Sequence, residues 1–106
     1  MAAVKYTTNE FRKALAEGKT ILVDYWAQWC GYCRRIGPAY ENVADKYGEQ
    51  LIVAQVNIDD EAELAQQEKI EVIPTLVLYK DGKAVASVVA PESKAAIEAF
   101  IEENLK

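Results

Sequence analysis

The only two cysteines of this chain, Cys30 and Cys33, stand three residues apart in Trp29-Cys30-Gly31-Tyr32-Cys33. Two thiols at that spacing can form a structural disulfide, contribute to a metal site, or exchange electrons with another disulfide. The metal reading lacks ligands, because a zinc site takes about four and the sequence has no histidine and no other cysteine. The apolar run Ile21-Leu22-Val23-Asp24-Tyr25-Trp26-Ala27 reads as a strand, and a helical pattern begins around Arg34. The thiols therefore fall where a strand hands over to a helix. A helix N-terminus offers free N–H groups and the positive end of the dipole, and both stabilise the thiolate that exchange requires. On this reading Cys30 is the nucleophile. Cys33, nearly one turn later, resolves the mixed disulfide that Cys30 forms. Asp24 adds a carboxylate inside the strand. If buried, its pKa rises through desolvation and it can move protons near neutral pH; if it points to solvent, it cannot.

These groups need a scaffold, and the chain of 106 residues is long enough to bury a core as one domain spanning 1–106. The hydrophobic share of 51% and charged share of 27% are those of a globular protein. Net charge is −5, and no cluster of lysine and arginine forms a basic stripe, which argues against nucleic acid as a partner. The apolar runs are far too short for a membrane span. The N-terminus, Met1-Ala2-Ala3-Val4-Lys5, has no apolar secretory segment, so the expected location is cytoplasmic.

Val4-Lys5-Tyr6 reads as a short edge strand. Thr7 and Glu10 have the spacing of a capping box ahead of a helix whose inner face is Phe11, Ala14 and Leu15, closed by Gly18. Residues 20–27 form the first strong strand. A helix follows from about Cys30 or Gly31 to Tyr47, with Ile36, Ala39, Tyr40, Val43, Ala44 and Tyr47 at helical spacing, a kink expected at Pro38 and Gly48 at its end. Residues 51–58 form the second strong strand. Asp59 or Asp60 is expected to cap a short helix over 61–68, with Leu64 and Ala65 inward. Strand-helix-strand order implies parallel pairing. Asp81-Gly82 between the patterns 75–79 and 84–89 signals a hairpin, so the sheet is mixed. A last helix over about 92–105 is expected to bury Ala96, Ile97, Phe100, Ile101 and Leu105.

Taken together, Val23-Asp24-Tyr25-Trp26-Ala27-Gln28-Trp29-Cys30-Gly31-Tyr32-Cys33, Pro38, Val56-Asn57-Ile58-Asp59 and Ile73-Pro74-Thr75 resemble the thioredoxin family in order and spacing. The resemblance covers almost the whole chain. It implies an α/β thioredoxin fold, with a central mixed sheet of four or five strands flanked by about four helices. It also implies a thiol–disulfide oxidoreductase that reduces protein disulfides through a reversible Cys30–Cys33 pair. No bound cofactor is implied. The electron donor would be a partner, a flavin-dependent thioredoxin reductase using NADPH, and the protein itself a monomer. By the same resemblance Asp24 accepts the proton of Cys33, and the Ile73-Pro74 bond is cis. Trp29, Gly31, Tyr32, Ile73, Pro74 and Ala90 would border the substrate, with Trp29, Ile73, Pro74 and Ala90 forming a flat apolar surface. Trp26 reads as core or support. An oxidase or isomerase of disulfides, and a binding module that only keeps the fold, are the alternatives.

Three positions depart from the family pattern. Tyr32 stands where cytosolic members have proline. Its N–H is either an extra donor to the Cys30 sulfur, which would make the couple more oxidising than in a Tyr32→Pro variant, or it is a neutral surface change. Gln55 replaces a lysine, and losing that cation raises the pKa of Asp24 further. Ala90-Pro91 stands where the family has glycine at the groove, and the added methyl narrows it. Arg34 and Arg35, just past the dithiol, are either solvated or steer acidic partners.

Overall fold

A computed structural model describes residues 2–105. Five strands, β1 (Val4–Lys5), β2 (Ile21–Trp26), β3 (Ile52–Asn57), β4 (Thr75–Lys80) and β5 (Lys83–Val89), form one sheet in the order β1-β3-β2-β4-β5. Four helices accompany them: α1 (Thr8–Ala16), α2 (Gly31–Tyr47), α3 (Ala62–Gln67) and α4 (Lys94–Asn104). β1 and β2 pair parallel with β3, while β4 runs antiparallel to both β2 and β5. This is the mixed sheet expected from the hairpin signal.

Side chains alternate across the sheet, so each face carries its own core. Leu22, Leu76 and Leu78 pack with Ile36, Tyr40, Val43, Ala44 and Tyr47 of α2 and Ile97 and Ile101 of α4. On the other face Ile21, Val23, Tyr25, Val77 and Tyr79 pack with Phe11 and Ala14 of α1 and Leu64 of α3. β2 is covered on both sides, which is why its sequence reads as a nearly unbroken apolar run.

The capping box forms as expected: Glu10 N–H donates to Thr7 Oγ1, and the Glu10 carboxylate accepts from Thr7 N–H. The Asp81-Gly82 turn has φ of 54° and 82° at its two residues, the geometry that a two-residue hairpin demands. Helix α2 continues through Pro38, which is exposed, to its cap at Gly48.

Two helix readings are corrected. The cap of α3 is Glu61, with no side-chain bond to the helix, and neither Asp59 nor Asp60 serves. Asn57 intervenes by accepting N–H bonds from both aspartates into its Oδ1, which commits them to a turn before the helix begins. In α4 the cap is Ser93, whose hydroxyl accepts from Ala96 N–H. Starting there turns Ala96 to solvent and leaves Ile97 and Ile101 as the buried pair, with Phe100 and Leu105 half-buried against them.

Tyr40 ties α2 to the sheet. Its hydroxyl is fully buried and lies 2.7 Å from the Ala54 carbonyl of β3 and 3.1 Å from the Leu22 carbonyl of β2. A Tyr40→Phe variant should lose about 1–2 kcal/mol of unfolding free energy in urea titrations while keeping the same secondary structure.

Candidate functional site

Register decides which loops meet. Tyr25 at the end of β2 pairs with Thr75 at the start of β4, and Thr75 pairs with Val89 at the end of β5. The segments that follow β2, precede β4 and follow β5 therefore converge at one end of the sheet. They carry Cys30, Ile73-Pro74 and Ala90-Pro91.

Cys30 is the N-cap of α2, with extended backbone (φ −84°, ψ 109°), and it forms a disulfide with Cys33, their Cα atoms 5.3 Å apart. The Cys33 N–H donates to the Cys30 sulfur at 3.2 Å. That is the bond a cap side chain normally makes with an oxygen. Both cysteines are buried, Cys30 at 8% exposed and Cys33 at 3%. In the disulfide form the sulfur's donor is the amide of Cys33. Tyr32 contributes through its phenol, donating to the Pro91 carbonyl at 2.9 Å.

Ala27, Cys30 and Cys33 form a small apolar cluster, with half-buried Trp26, Tyr32, Ile58 and Ile73 against it. Trp26 thus supports the disulfide from beneath. Trp29 is 67% exposed, and its indole N–H donates to Asp59 at 2.9 Å. The Ile73-Pro74 bond is cis, and the Ile73 carbonyl oxygen lies 4.0 Å from the Cys30 sulfur. Pro74 is buried, Trp29 and Val72 are exposed, and Ile73 and Ala90 are half-buried. Thr75 Oγ1 donates to the Val72 carbonyl and fixes the approach to Ile73. Gly31 is exposed at the first position of α2, and Arg34 and Arg35 are exposed beyond the dithiol.

Asp24 is 1% exposed, so its carboxylate is buried. It sits two residues after Leu22 on the sheet face that α2 covers, and Cys33, Ile36 and Tyr40 line the covering stripe of α2. Its Oδ1 has no hydrogen-bond partner among the described residues. Desolvation pushes its pKa up to about 7, and the Gln55 side chain, paired with it across the ladder, draws it back only in part. Lys5 occupies the same ladder row one strand further out and is exposed. The position next to the carboxylate is therefore held by a neutral amide.

Sequence reasoning did not find three contacts: Asp59 to Trp29, Pro91 to Tyr32, and Thr75 to Val72. The first two join residues far apart in the chain, and no local pattern marks them. The last was legible only as a threonine after Ile73-Pro74.

Known proteins share this arrangement. The thioredoxin family profile matches residues 2–103. A thioredoxin of Acidithiobacillus ferridurans is 45% identical over 91 residues, covering 86% of this chain and 84% of that protein. One from Coprinus comatus is 37% identical over 106 residues, covering 99% of each. Among solved structures, a thioredoxin of Plasmodium falciparum superposes with a TM-score of 0.87 at 30% identity, covering 96% of this chain and 99% of that one.

Burying Asp24 has a measurable consequence. Between its unfolded value of 3.8 and its folded value of about 7, the native state holds a proton that the unfolded state has released. Unfolding free energy contributed by this group therefore falls as pH rises through that window and is constant above it. Relative to an Asp24→Asn variant, the protein should lose about 4 kcal/mol between pH 4 and pH 8, read from denaturant midpoints.

Proposed function

Since the chain belongs to the thioredoxin family, a disulfide reductase with Cys30–Cys33 as its redox group, we propose the following division of labour among its residues. In the reduced protein the Cys30 thiolate attacks one sulfur of a protein disulfide, and the other substrate sulfur leaves as a thiolate. The single observation that carries this role is the Cys33 amide aimed at the Cys30 sulfur at the mouth of α2. The same N–H that meets the disulfide sulfur stabilises an anion there. Cys33, more buried and one turn along, then attacks the Cys30 sulfur. That step breaks the mixed disulfide, forms the Cys30–Cys33 bond and releases the second substrate thiol. Two electrons pass from the dithiol to the substrate, and no other redox group is required.

Asp24 takes the proton of Cys33 as it becomes a nucleophile. A carboxyl held near neutrality is matched to that task, whereas an ordinary carboxylate is too weak a base. The substrate lies as an extended segment on Trp29, Gly31, Ile73 and Ala90, with Tyr32 and Pro74 as borders. Ala90 N–H already bonds the Pro74 carbonyl at 2.8 Å, so the Ile73 backbone is the one left to pair with an incoming strand. Re-reduction by an NADPH-dependent flavin reductase, a cytoplasmic location, a place in cellular redox homeostasis and a monomeric state complete the reading. No helix among the described residues is long and apolar enough to cross a membrane.

Reduction of insulin by dithiothreitol should be accelerated by the protein and should fall to background in a Cys30→Ser variant. A couple more negative than about −250 mV in glutathione or dithiothreitol titrations is expected of a reductase, and one above about −200 mV would instead indicate an oxidase. A Gln55→Lys variant should move the acid limb of the reduction-rate profile down by about one pH unit, because a cation beside Asp24 favours its charged form.

A further inference from the structure

The contacts around Tyr32 close a ring. Its hydroxyl donates to the Pro91 carbonyl at 2.9 Å. Pro91 follows Ala90, whose φ of 47° lies in the left-handed region that an alanine enters only under constraint. Ala90 N–H reaches the Pro74 carbonyl at 2.8 Å, and the neighbouring Ile73 carbonyl lies 4.0 Å from the Cys30 sulfur. Among the described residues Lys69 and Asp81 are the other non-glycines with positive φ. Asp81 sits in the hairpin turn and Lys69 just past the end of α3, both away from the disulfide. The backbone strain at Ala90 thus falls at the site and is flanked by hydrogen bonds at its own N–H and at the Pro91 carbonyl.

We propose that Tyr32 is a positioning residue that clamps the loop at 90–91 and thereby selects polypeptide disulfides over small ones. Its ring is half-buried between the disulfide cluster and the α2–α4 core, so the phenol is presented in a fixed direction. The bond links the helix that bears the sulfurs to the loop that carries Ala90. With the clamp in place, the groove is already shaped for an extended backbone. Without it, Ala90 relaxes toward ordinary φ, and a polypeptide must pay the ordering cost on binding. A small disulfide reaches the sulfur without using the Ala90 loop and bears none of that cost. The inference rests on the groove described under Proposed function.

The test mixes the reduced protein and its Tyr32→Phe variant with insulin and, separately, with 2-hydroxyethyl disulfide. Loss of one neutral hydrogen bond should raise the half-saturating insulin concentration about fivefold. The limiting rate, and the rate constant toward the small disulfide, should each change less than twofold. In an Ala90→Gly background the same substitution should cost less, because glycine holds positive φ without a clamp. An unchanged half-saturation concentration, an equal slowing of both substrates, or a penalty undiminished by Ala90→Gly would each overturn the clamp while leaving the reductase reading intact. If the unsubstituted protein reduced neither disulfide, the underlying function would fall and the clamp with it.

Discussion

The site depends on one backbone amide, the N–H of Cys33, directed at the sulfur of Cys30. A thiol gains reactivity only where its anion is stabilised; the sequence has no histidine and Arg34 and Arg35 occupy solvent-exposed positions, so the helix end is the stabiliser that touches the sulfur. The orientation of α2 is therefore the constraint that the rest of the fold satisfies. Ile36, Tyr40, Val43, Ala44 and Tyr47 fix its rotation against the sheet, and the Tyr40 hydroxyl fixes its height over β2 and β3. A helix turned by one residue would carry Cys33 off the buried face.

The buried carboxylate works against this economy. Asp24 occupies a central strand where an apolar residue would pack without penalty, and one of its oxygens has no partner among the described residues. Burial of this kind is destabilising whenever the group is charged, and the fold tolerates it because the proton stays on until near neutrality. The neighbouring ladder position decides how far the penalty extends. Gln55 offers an amide dipole, a weaker counterweight than a full charge, and Lys5 stands one strand too far out to replace it. The carboxyl is thus set by its strand register and its neutral neighbour together.

Most of the scaffold was legible because it is periodic. The apolar run of β2, the helical stripe of α2 and the Asp81-Gly82 turn each encode their structure within a few residues. The two helix starts that were misread share a cause: several polar residues stood in competition. Asn57 took the N–H groups of Asp59 and Asp60, and Ser93 set the start of α4 later than its apolar pattern suggested. At the site, Cys30 and Cys33 were legible from spacing, and the resemblance supplied the cis bond at Pro74 and the burial of Asp24. What stayed hidden were couplings between loops. Trp29 to Asp59 and Tyr32 to Pro91 join chain segments 30 and 59 residues apart, and nothing local requires either.

Those hidden couplings follow from the sheet. The row Tyr25–Thr75–Val89 brings three loop attachments to one end of three adjacent strands, and strand pairing alone fixes their spacing. The loops can then change composition without disturbing either core. Tyr32 lies in the first turn of α2 and Ala90 and Pro91 in the loop after β5, while the strands that hold them keep apolar residues on their buried faces. Such changes do not act singly, because neighbouring loops touch. A tyrosine at 32 finds the carbonyl of residue 91, and an alanine at 90 takes a backbone conformation suited to glycine. The scaffold makes the site permissive to substitution, and contact at this end of the sheet makes the substitutions interdependent.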